Sequence, residues 1–362
     1  MKIVFWASGH IAEYTVKLDM LKKLPCDIEI MGFADNDKAK WGKDIGGYTI
    51  LSPNQVKELE IDNIIILSDD HFDEIRDMLV NWLQIAPAKI KRRQQLLKLM
   101  LIHKYSSTED SEIQDLLKHW ENHDIGIFNQ YVQRGKEVNE VYWDSIENMP
   151  YIIFEDKRMY FPYNYNRFEE SESGKKVYRD LMCEQQPSSP HLYVKGNIKV
   201  EAGDVIVDAG VCEGNFALRY AERASKIYLI EGDSKWFRPL EKTFEKFRDK
   251  VVFCKRFLGR GDTERHICLD SLVEGKLDFL KMDIEGAEVD ALIGGRKTLL
   301  NNNVKCSICS YHRINDESAI SDILRAYGYE TSHSDGYMVF WPDKDIWSCP
   351  ELRRGIVYGV KQ

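Results

Sequence analysis

The chain has 362 residues, enough for two domains of ordinary size or for one large domain with an appendage. Its 50 basic and 59 acidic residues give a formal net charge of −9, which argues against a nucleic acid or an anionic membrane surface as the principal partner. A hydrophobic share of 43% with 30% charged residues is typical of a globular protein and excludes a disordered chain.

No apolar stretch is long enough to span a bilayer, and the opening run at 1–8 is too short for a signal peptide, so we expect a cytoplasmic protein. The eight cysteines lack the density of a disulfide scaffold and are interpreted as reduced, mostly buried thiols. Cys306, Cys309 and His312 have the spacing of metal ligands, but no second Cys or His pair lies at a suitable distance to complete a site. We therefore predict no metal.

The first ninety residues alternate between two patterns, apolar runs and amphipathic stretches. The apolar runs predict strands at 2–8, 28–34 and 61–67. Amphipathic stretches at 11–24 and 71–83 predict the helices that follow the first and third of these strands. This alternation predicts a parallel sheet and a small βαβ, or half-Rossmann, domain over residues 1–90.

Residues 91–196 carry helical patches, a break at Gly126 and an aromatic tract at 160–165, and are interpreted as a helical connector and cap. The aromatic tract is either a binding surface or packing against a neighbouring element, and packing is favoured.

A second and larger α/β domain is predicted over residues 197–362. Four strand patterns run into Asp208, Glu231, Cys254 and Asp283, with helical patterns between several of them. We expect these strands to form a doubly wound, Rossmann-like parallel sheet, whose carboxyl edge binds ligands where the strand order reverses.

The segment VDAGVCEGNF at 207–216 closes the first of these strands with a glycine turn that lets the backbone approach a ligand closely. Asp208 precedes Gly210 and the next glycine is Gly214, so the spacing is not the G-x-G-x-x-G of a dinucleotide site. Asp208 would repel a pyrophosphate and suits a cationic ligand such as S-adenosylmethionine, whose amino group and sulfonium are positive. The alternative is that Asp208 caps the following helix.

Glu231 ends the second strand, where an acid can accept hydrogen bonds from both hydroxyls of an unphosphorylated ribose. The alternative is a solvated loop acid. Because Asp208 and Glu231 lie at neighbouring strand ends, the cofactor interpretation is favoured.

Asp283 and Glu285 follow the fourth strand on the same edge of the sheet, where ligands bind. Glu285 and Glu288 also complement the dipole of the next helix.

The segment from Asn197 to Gly295 resembles the FkbM family of S-adenosylmethionine-dependent methyltransferases, through VDAGVCEGNFAL, LIEGD, LDSL and above all LDFLKMDIEGAEVDAL. The resemblance implies a class I methyltransferase fold, S-adenosylmethionine as cofactor, and O-methylation of a sugar or related product. Upstream, 184–193 resembles a segment that closes over the cofactor pocket in longer members. The cofactor contacts that we expect are Asp208, Ala209, Gly210, Glu213, Gly214, Asn215, Glu231, Gly232 and Asp283.

Methyl transfer to a hydroxyl is helped by a base that removes its proton, and Asp283 and His312 are the catalytic candidates. His312 follows a predicted fifth strand on the edge that carries Asp283. A hydrogen-bonded structural histidine is the alternative.

The first domain is similar to the small nucleotide-fold domain that precedes sugar-modifying transferases, in GFADND at 32–37 and WGKDIGGY at 41–48. The resemblance implies a bound sugar nucleotide. Because the loop Ser8-Gly9-His10 holds one glycine only, a docking or scaffolding domain is the alternative.

The partner expected is therefore a small-molecule or sugar-nucleotide acceptor, without nucleic acid or a membrane span, and a homo-oligomer is left open. Two other functions are also left open. One is a nucleotide or sugar-nucleotide binding protein without turnover, and the other is an NAD-dependent oxidoreductase, which the missing G-x-G-x-x-G disfavours.

Overall fold

The computed structural model describes residues 1–7, 9–17, 20–132, 140–163, 181 and 183–361. Ser8, Asn164 and Tyr165 of the predicted motifs lie outside these residues. The chain forms two compact units: unit 1 holds Met1–Ile127 and Val339–Leu352, and unit 2 holds Phe128–Met338 and Arg353–Gln362. Within the described ranges, no helix combines the length and the apolar character that crossing a bilayer requires.

Unit 1 is built on a mostly parallel sheet. In the described part of this unit, the strands are β1 Lys2–Trp6, β2 Glu29–Ala34, β3 Asp44–Ile45, β4 Tyr48–Leu51, β5 Asn63–Ile66 and β6 Ile90–Arg92. Their order is β3-β4-β2-β1-β5-β6, and only the β3-β4 pair is antiparallel. The helices are α1 His10–Lys17, α2 Pro53–Lys57, α3 Phe72–Asn81, α4 Gln94–Tyr105 and α5 Ser111–Trp120. The predicted alternation of strand and helix is present.

The region predicted as a helical connector, residues 91–196, differs from the prediction. Its helices α4 and α5 belong to unit 1. In unit 2, an antiparallel sheet is formed by β7 Val141–Asp144, β8 Met149–Phe154 and β9 Lys157–Tyr160. Glu155 and Asp156 both have positive φ, 46° and 65°, which suits the tight turn of a hairpin. Asn-Gly or Asp-Gly is the usual signal for such a turn, and its absence hid the hairpin.

Unit 2 carries the larger sheet. Its strands are β10 Val205–Ala209, β11 Lys226–Ile230, β12 Val251–Cys254, β15 Phe279–Met282, β16 Lys305–Cys309, β17 Glu330–His333 and β18 Ile356–Val360, and the short pair is β13 Phe257–Leu258 with β14 His266–Ile267. The helices are α6 Asn215–Tyr220, α7 Phe237–Thr243, α8 Leu269–Leu272, α9 Glu288–Gly294, α10 Arg296–Asn301 and α11 Asp316–Ala326. The order β12-β11-β10-β15-β16-β18-β17 confirms the predicted doubly wound, Rossmann-like sheet.

The strand order of this sheet reverses beside β10, whose neighbours are β11 and β15. The central strands are buried on both faces and are therefore almost continuously apolar. Asp208 in β10 and Lys281 in β15 break this pattern, and they are direct neighbours across the two parallel strands. The carboxyl ends of β10, β11, β15 and β16 hold the candidate site.

Candidate functional site

The glycine turn after β10 is fixed by contacts within the chain. Gly210 has φ 71°, and a Cβ at this position would lie 1.7 Å from the carbonyl oxygen of Asp283. Gly214 has φ 83° and precedes Asn215, the first residue of α6, and its Cβ would lie 2.8 Å from the ring of Phe244. Both glycines are therefore required by close approach between parts of the protein, in addition to any approach of a ligand.

Asp208 is completely buried and forms an ion pair with Lys281, at 3.0 Å between Oδ1 and Nζ. Its Oδ2 accepts a hydrogen bond of 3.2 Å from the backbone N–H of Ala217 in α6. Within the chain, Asp208 thus contacts a lysine and anchors the glycine loop. Its contact with the cofactor's positive end stays a prediction.

Lys281 was not predicted as a site residue. Its Nζ donates a hydrogen bond of 2.7 Å to the carbonyl oxygen of Gly210, and its side chain is 5% exposed. Burial alone would lower the pKa of Lys281, but the charges of Asp208 and Asp283 hold it above its usual value. A lysine in an otherwise apolar strand pattern was the available signal.

Glu231 ties the ends of β10 and β11 together. Its Oε2 accepts a hydrogen bond of 3.0 Å from the backbone N–H of Cys212, and its Oε1 accepts one of 2.7 Å from the N–H of Asp233. Each carboxylate oxygen can accept a second hydrogen bond, so both remain able to bind a hydroxyl. Beside it, a Cβ on Gly232 would lie 2.4 Å from the ring of Phe257, which is 39% exposed.

Asp283 follows β15 and is surrounded by two tyrosines and two histidines. Its Oδ2 accepts a hydrogen bond of 2.8 Å from Tyr193 Oη and lies 3.3 Å from His191 Nε2. Its Oδ1 accepts one of 3.3 Å from Tyr311 Oη and lies 3.3 Å from His312 Nε2. The structure thus brings the two predicted catalytic candidates into contact. His191 and Tyr193, which also contact Asp283, belong to the 184–193 segment. The resemblance implied that this segment closes over the cofactor pocket.

Opposing effects determine the charge of Asp283. Burial alone would raise the pKa of this carboxyl. The hydrogen bond and charge of His191, with the charges of His312 and Lys281, instead hold its pKa well below the usual range. Asp283 is therefore a carboxylate at neutral pH.

His312 is 4% exposed and lies between two carboxylates. Its Nδ1 is 3.0 Å from Oε1 of the completely buried Glu288, on the side of the ring opposite to Asp283. Burial alone would lower the pKa of His312, but the hydrogen bond to Glu288 and the charges of Asp283, Glu288 and Glu285 raise it to about 9. The imidazole is therefore protonated at neutral pH, which argues against His312 as the proton acceptor and favours Asp283.

Glu213 lies in the glycine loop and is 6% exposed. Burial, reinforced by the negative charges of Asp208 and Asp283, raises the pKa of Glu213 to about 7. The folded protein therefore favours the protonated carboxyl, and this contribution to stability is lost as the pH rises from about 4.5 to 7.

We predict that Glu213→Gln removes this pH dependence. Above pH 7 the variant should exceed the wild type by up to about 3 kcal/mol in free energy of unfolding, and below about pH 4.5 the two should converge. Urea unfolding from pH 4.5 to 8 measures this, and Glu274→Gln, at an exposed position of the same unit, controls for the loss of one acid. A constant difference between Glu213→Gln and wild type across this range would contradict the prediction.

Two groups of donors in the described ranges could hold a metal ion: His191, Asp283 and Cys309, and Asp283, Glu288 and His312. Neither is the combination of Cys306, Cys309 and His312 that the sequence spacing suggested. Cys306 and Cys309 lie three residues apart on β16, and the Sγ of Cys309 is 3.4 Å from His191 Nε2. A partner from a distant segment cannot be found from local spacing.

In unit 1, Asp35 follows β2 and is mostly buried. Its Oδ2 accepts a hydrogen bond of 2.9 Å from Lys40 Nζ, and its Oδ1 accepts one of 2.9 Å from the N–H of Asp37. The carboxylate is thus engaged by its own loop, and sugar-nucleotide binding by this unit stays a prediction.

Two family models match the chain. Residues 158–331 match the methyltransferase FkbM domain, and residues 1–91 match the model described as C2185-like, N-terminal. The first match includes the glycine turn, Glu231, Asp283 and His312. No curated protein matches the chain significantly.

Several solved structures are similar to the chain. Methyltransferase FkbM from Methylobacillus flagellatus KT has 14% identity and a TM-score of 0.42, covering 99% of this chain and 89% of the other. Magnesium protoporphyrin IX methyltransferase from Synechocystis PCC 6803, with bound SAM, has 16% identity and a TM-score of 0.31, covering 44% and 71%. A methyltransferase-like protein from Streptococcus mutans in complex with SAH has 14% identity and a TM-score of 0.30, covering 45% and 91%.

Proposed function

Residues 158–331 belong to the FkbM methyltransferase family, and on that premise we propose that the chain transfers a methyl group from S-adenosylmethionine to a hydroxyl group of a sugar or glycan precursor. The observation that carries this proposal is the convergence of the glycine turn, Glu231 and Asp283 at the carboxyl edge of the sheet, beside the reversal of strand order. Ligands of doubly wound sheets bind at this point.

In this proposal the loop from Ala209 to Asn215 holds the methionine part of the cofactor, with Glu213 and Gly214 in its wall. The free lone pairs of Glu231 accept hydrogen bonds from the ribose hydroxyls. The exposed ring of Phe257, packed on Gly232, offers an aromatic face to the adenine.

The chemical step needs alignment above all, because the sulfonium is already a good methyl donor. The acceptor oxygen attacks the methyl carbon, the carbon–sulfur bond breaks, and S-adenosylhomocysteine leaves as the hydroxyl proton passes to a base. Asp283 is the ionised group that we assign to this proton, and His312 holds it in place as a cation. Such a base contributes roughly 10²–10⁴-fold to the rate.

The direct test is to incubate the full chain with labelled S-adenosylmethionine and candidate sugars and sugar nucleotides, and to titrate the cofactor and S-adenosylhomocysteine calorimetrically. Binding of both, with label transferred to a hydroxyl-bearing acceptor, supports the proposal. If neither ligand binds, the cofactor assignment is wrong. Cofactor binding without transfer to any acceptor would favour the alternative of a nucleotide-binding protein without turnover.

We predict that Glu231→Gln weakens S-adenosylmethionine and S-adenosylhomocysteine alike, each by roughly 10- to 100-fold, because hydrogen bonds to a charged group contribute about 1.5–3 kcal/mol and both ligands carry the ribose. Calorimetry gives both dissociation constants, and Asp233→Asn, in the adjacent turn, is the control. An unchanged affinity, or a loss confined to S-adenosylmethionine, would show that Glu231 does not bind the ribose.

We also predict that Asp283→Asn lowers kcat by about 10²–10⁴-fold, while His312→Gln lowers it less. The reason is that Asp283 is ionised at neutral pH, whereas His312 already carries a proton. Cofactor affinity is measured for each variant, so that lost binding is separated from lost catalysis. A kcat of Asp283→Asn within tenfold of wild type would remove Asp283 from the role of base.

A further inference from the structure

We propose that His191, Asp283 and Cys309, completed by the phenol of Tyr193, form a binding site for a zinc-class divalent cation. These side chains contribute one nitrogen, one sulfur and two oxygens. Imidazole, thiolate and carboxylate donors together are typical of zinc sites in proteins. We call this set of four side chains the donor cluster.

Three members of the donor cluster lie close to the same atom, Nε2 of His191. His191 Nε2 lies 3.3 Å from Asp283 Oδ2, 3.4 Å from Cys309 Sγ and 3.3 Å from Tyr193 Oη. A single ring nitrogen has either one proton or one lone pair, so it cannot form three hydrogen bonds. All three distances also exceed the usual 2.9 Å or so of a good N–H···O bond.

The same distances suit ligands of a shared ion. Zinc bonds of about 2.0–2.3 Å in tetrahedral geometry separate their ligand atoms by roughly 3.3–3.6 Å. The three distances from His191 Nε2 agree with this range or lie at its edge. The spacing around His191 Nε2 is therefore that of ligands, whereas Tyr193 Oη and Asp283 Oδ2 are hydrogen-bonded at 2.8 Å. These two oxygens would have to separate by about half an ångström when an ion binds.

The backbone holds these donors in place. Asp283 follows β15 and Cys309 ends β16, and the two strands are parallel neighbours in the sheet. His191 and Tyr193 come from the segment that precedes β10. His191, Tyr193 and Cys309 are 4%, 5% and 0% exposed, so little side-chain entropy remains to be lost when an ion binds.

Charge also favours a cation at this position. Lys281 lies 3.0 Å from Asp208, and His312 lies 3.0 Å from Glu288. Each of these two cations is thus paired with another buried acid, Lys281 with Asp208 and His312 with Glu288. They therefore balance the charge of Asp283 only in part. A divalent ion in the donor cluster would stabilise Asp283 directly.

The other group of donors, Asp283, Glu288 and His312, is a less suitable site. Its two carboxylates contact opposite nitrogens of the same imidazole, Nε2 and Nδ1. One ion can use only one of these nitrogens, so the arrangement is an ion-paired chain of side chains.

The position of the donor cluster has a consequence that rests on the proposed function. A cation at the carboxyl ends of β15 and β16 would lie on the edge where the acceptor hydroxyl is proposed to react. With four protein donors the ion has no open coordination position, so it would fix the carboxylate of Asp283 on this edge and would not bind the hydroxyl itself.

The experiment uses the full chain, purified without added metal or affinity-tag histidines. Its metal content is measured by mass spectrometry. After chelator treatment, cobalt(II) is added as the spectroscopic probe. We expect about one zinc-class ion per chain, and a near-ultraviolet thiolate-to-cobalt absorption after cobalt addition. Cys309→Ala should lose this absorption, and His191→Gln should weaken the metal by 10-fold or more.

Cys306→Ala is the matched control, because Cys306 is equally buried on the same strand and lies outside the donor cluster. It should keep both the metal and the absorption. Circular dichroism verifies that each variant is folded. If Cys309→Ala does not fold, the cation site is tested by three other measurements. These are the metal content of the wild type, its cobalt absorption and the metal affinity of His191→Gln.

Absence of both bound metal and thiolate absorption in the wild type would overturn the inference, as would an absorption that persists in a folded Cys309→Ala. Calorimetric titration of S-adenosylmethionine is run on the same preparations. Cofactor binding without metal rejects the cation site alone, whereas metal binding without cofactor rejects the proposed function alone.

Discussion

A Gly210→Ala chain is expected to lose about 2–5 kcal/mol of the free energy of unfolding of unit 2, before any ligand is added. The residue has φ 71°, where a side chain costs about 1–2 kcal/mol. In addition, the new methyl group would meet the carbonyl oxygen of Asp283 at 1.7 Å, and overpacking of this kind costs about 1–3 kcal/mol more. Urea unfolding followed by circular dichroism measures the loss.

Gly275→Ala separates the two contributions. Gly275 lies in the same unit with φ 82°, but a Cβ there has no atom within 4 Å. This variant should lose only the conformational part, about 1–2 kcal/mol. If Gly210→Ala is no less stable than Gly275→Ala, the close approach between β10 and β15 is not what requires the first glycine of the turn.

The second large effect is expected from Lys281→Met. This change keeps the length of the side chain and leaves Asp208 buried without its ion-pair partner. Removing one member of a buried pair typically costs about 3–5 kcal/mol. Unfolding at pH 8 measures the cost, which should decrease at lower pH because Asp208 can then be protonated.

The double variant Asp208→Leu with Lys281→Met tests the pairing itself. Because it removes both charges, it should be more stable than Lys281→Met alone, by several kcal/mol if the pair accounts for the effect. Equal stability of the double variant and Lys281→Met would mean that the lysine acts through Gly210, whose carbonyl oxygen accepts its hydrogen bond.

The sequence was informative wherever a candidate residue lies at the end of a recognisable strand. Asp208, Glu231 and Asp283 could be found because the carboxyl ends of parallel strands meet at one edge, and a strand of unit 2 can be recognised from its apolar run. The doubly wound sheet followed from the same runs. The reversal of order beside β10 gives these three acids their proximity.

The rest depended on tertiary contacts that leave no local pattern. His191 and Tyr193 lie about ninety residues before Asp283, in a segment with no strand or helix period to indicate its position. Lys281 was visible as a residue, but its partner in β10 is known only from the register of the sheet. The hairpin at 149–160 was hidden by a turn of Glu155 and Asp156, an uncommon pair for such a turn.

The order of strands in unit 2 also determines when its sheet can be finished during synthesis. β18 lies between β16 and β17 and is antiparallel to both, yet it follows both in the sequence. Until residues 356–360 emerge from the ribosome, β17 has no neighbour in the sheet. The edge of β16, with Cys306, Ile308 and Cys309, meanwhile stays open to wrong partners. A chain truncated before residue 356 is therefore expected to be prone to aggregation, although it contains every residue of the candidate site.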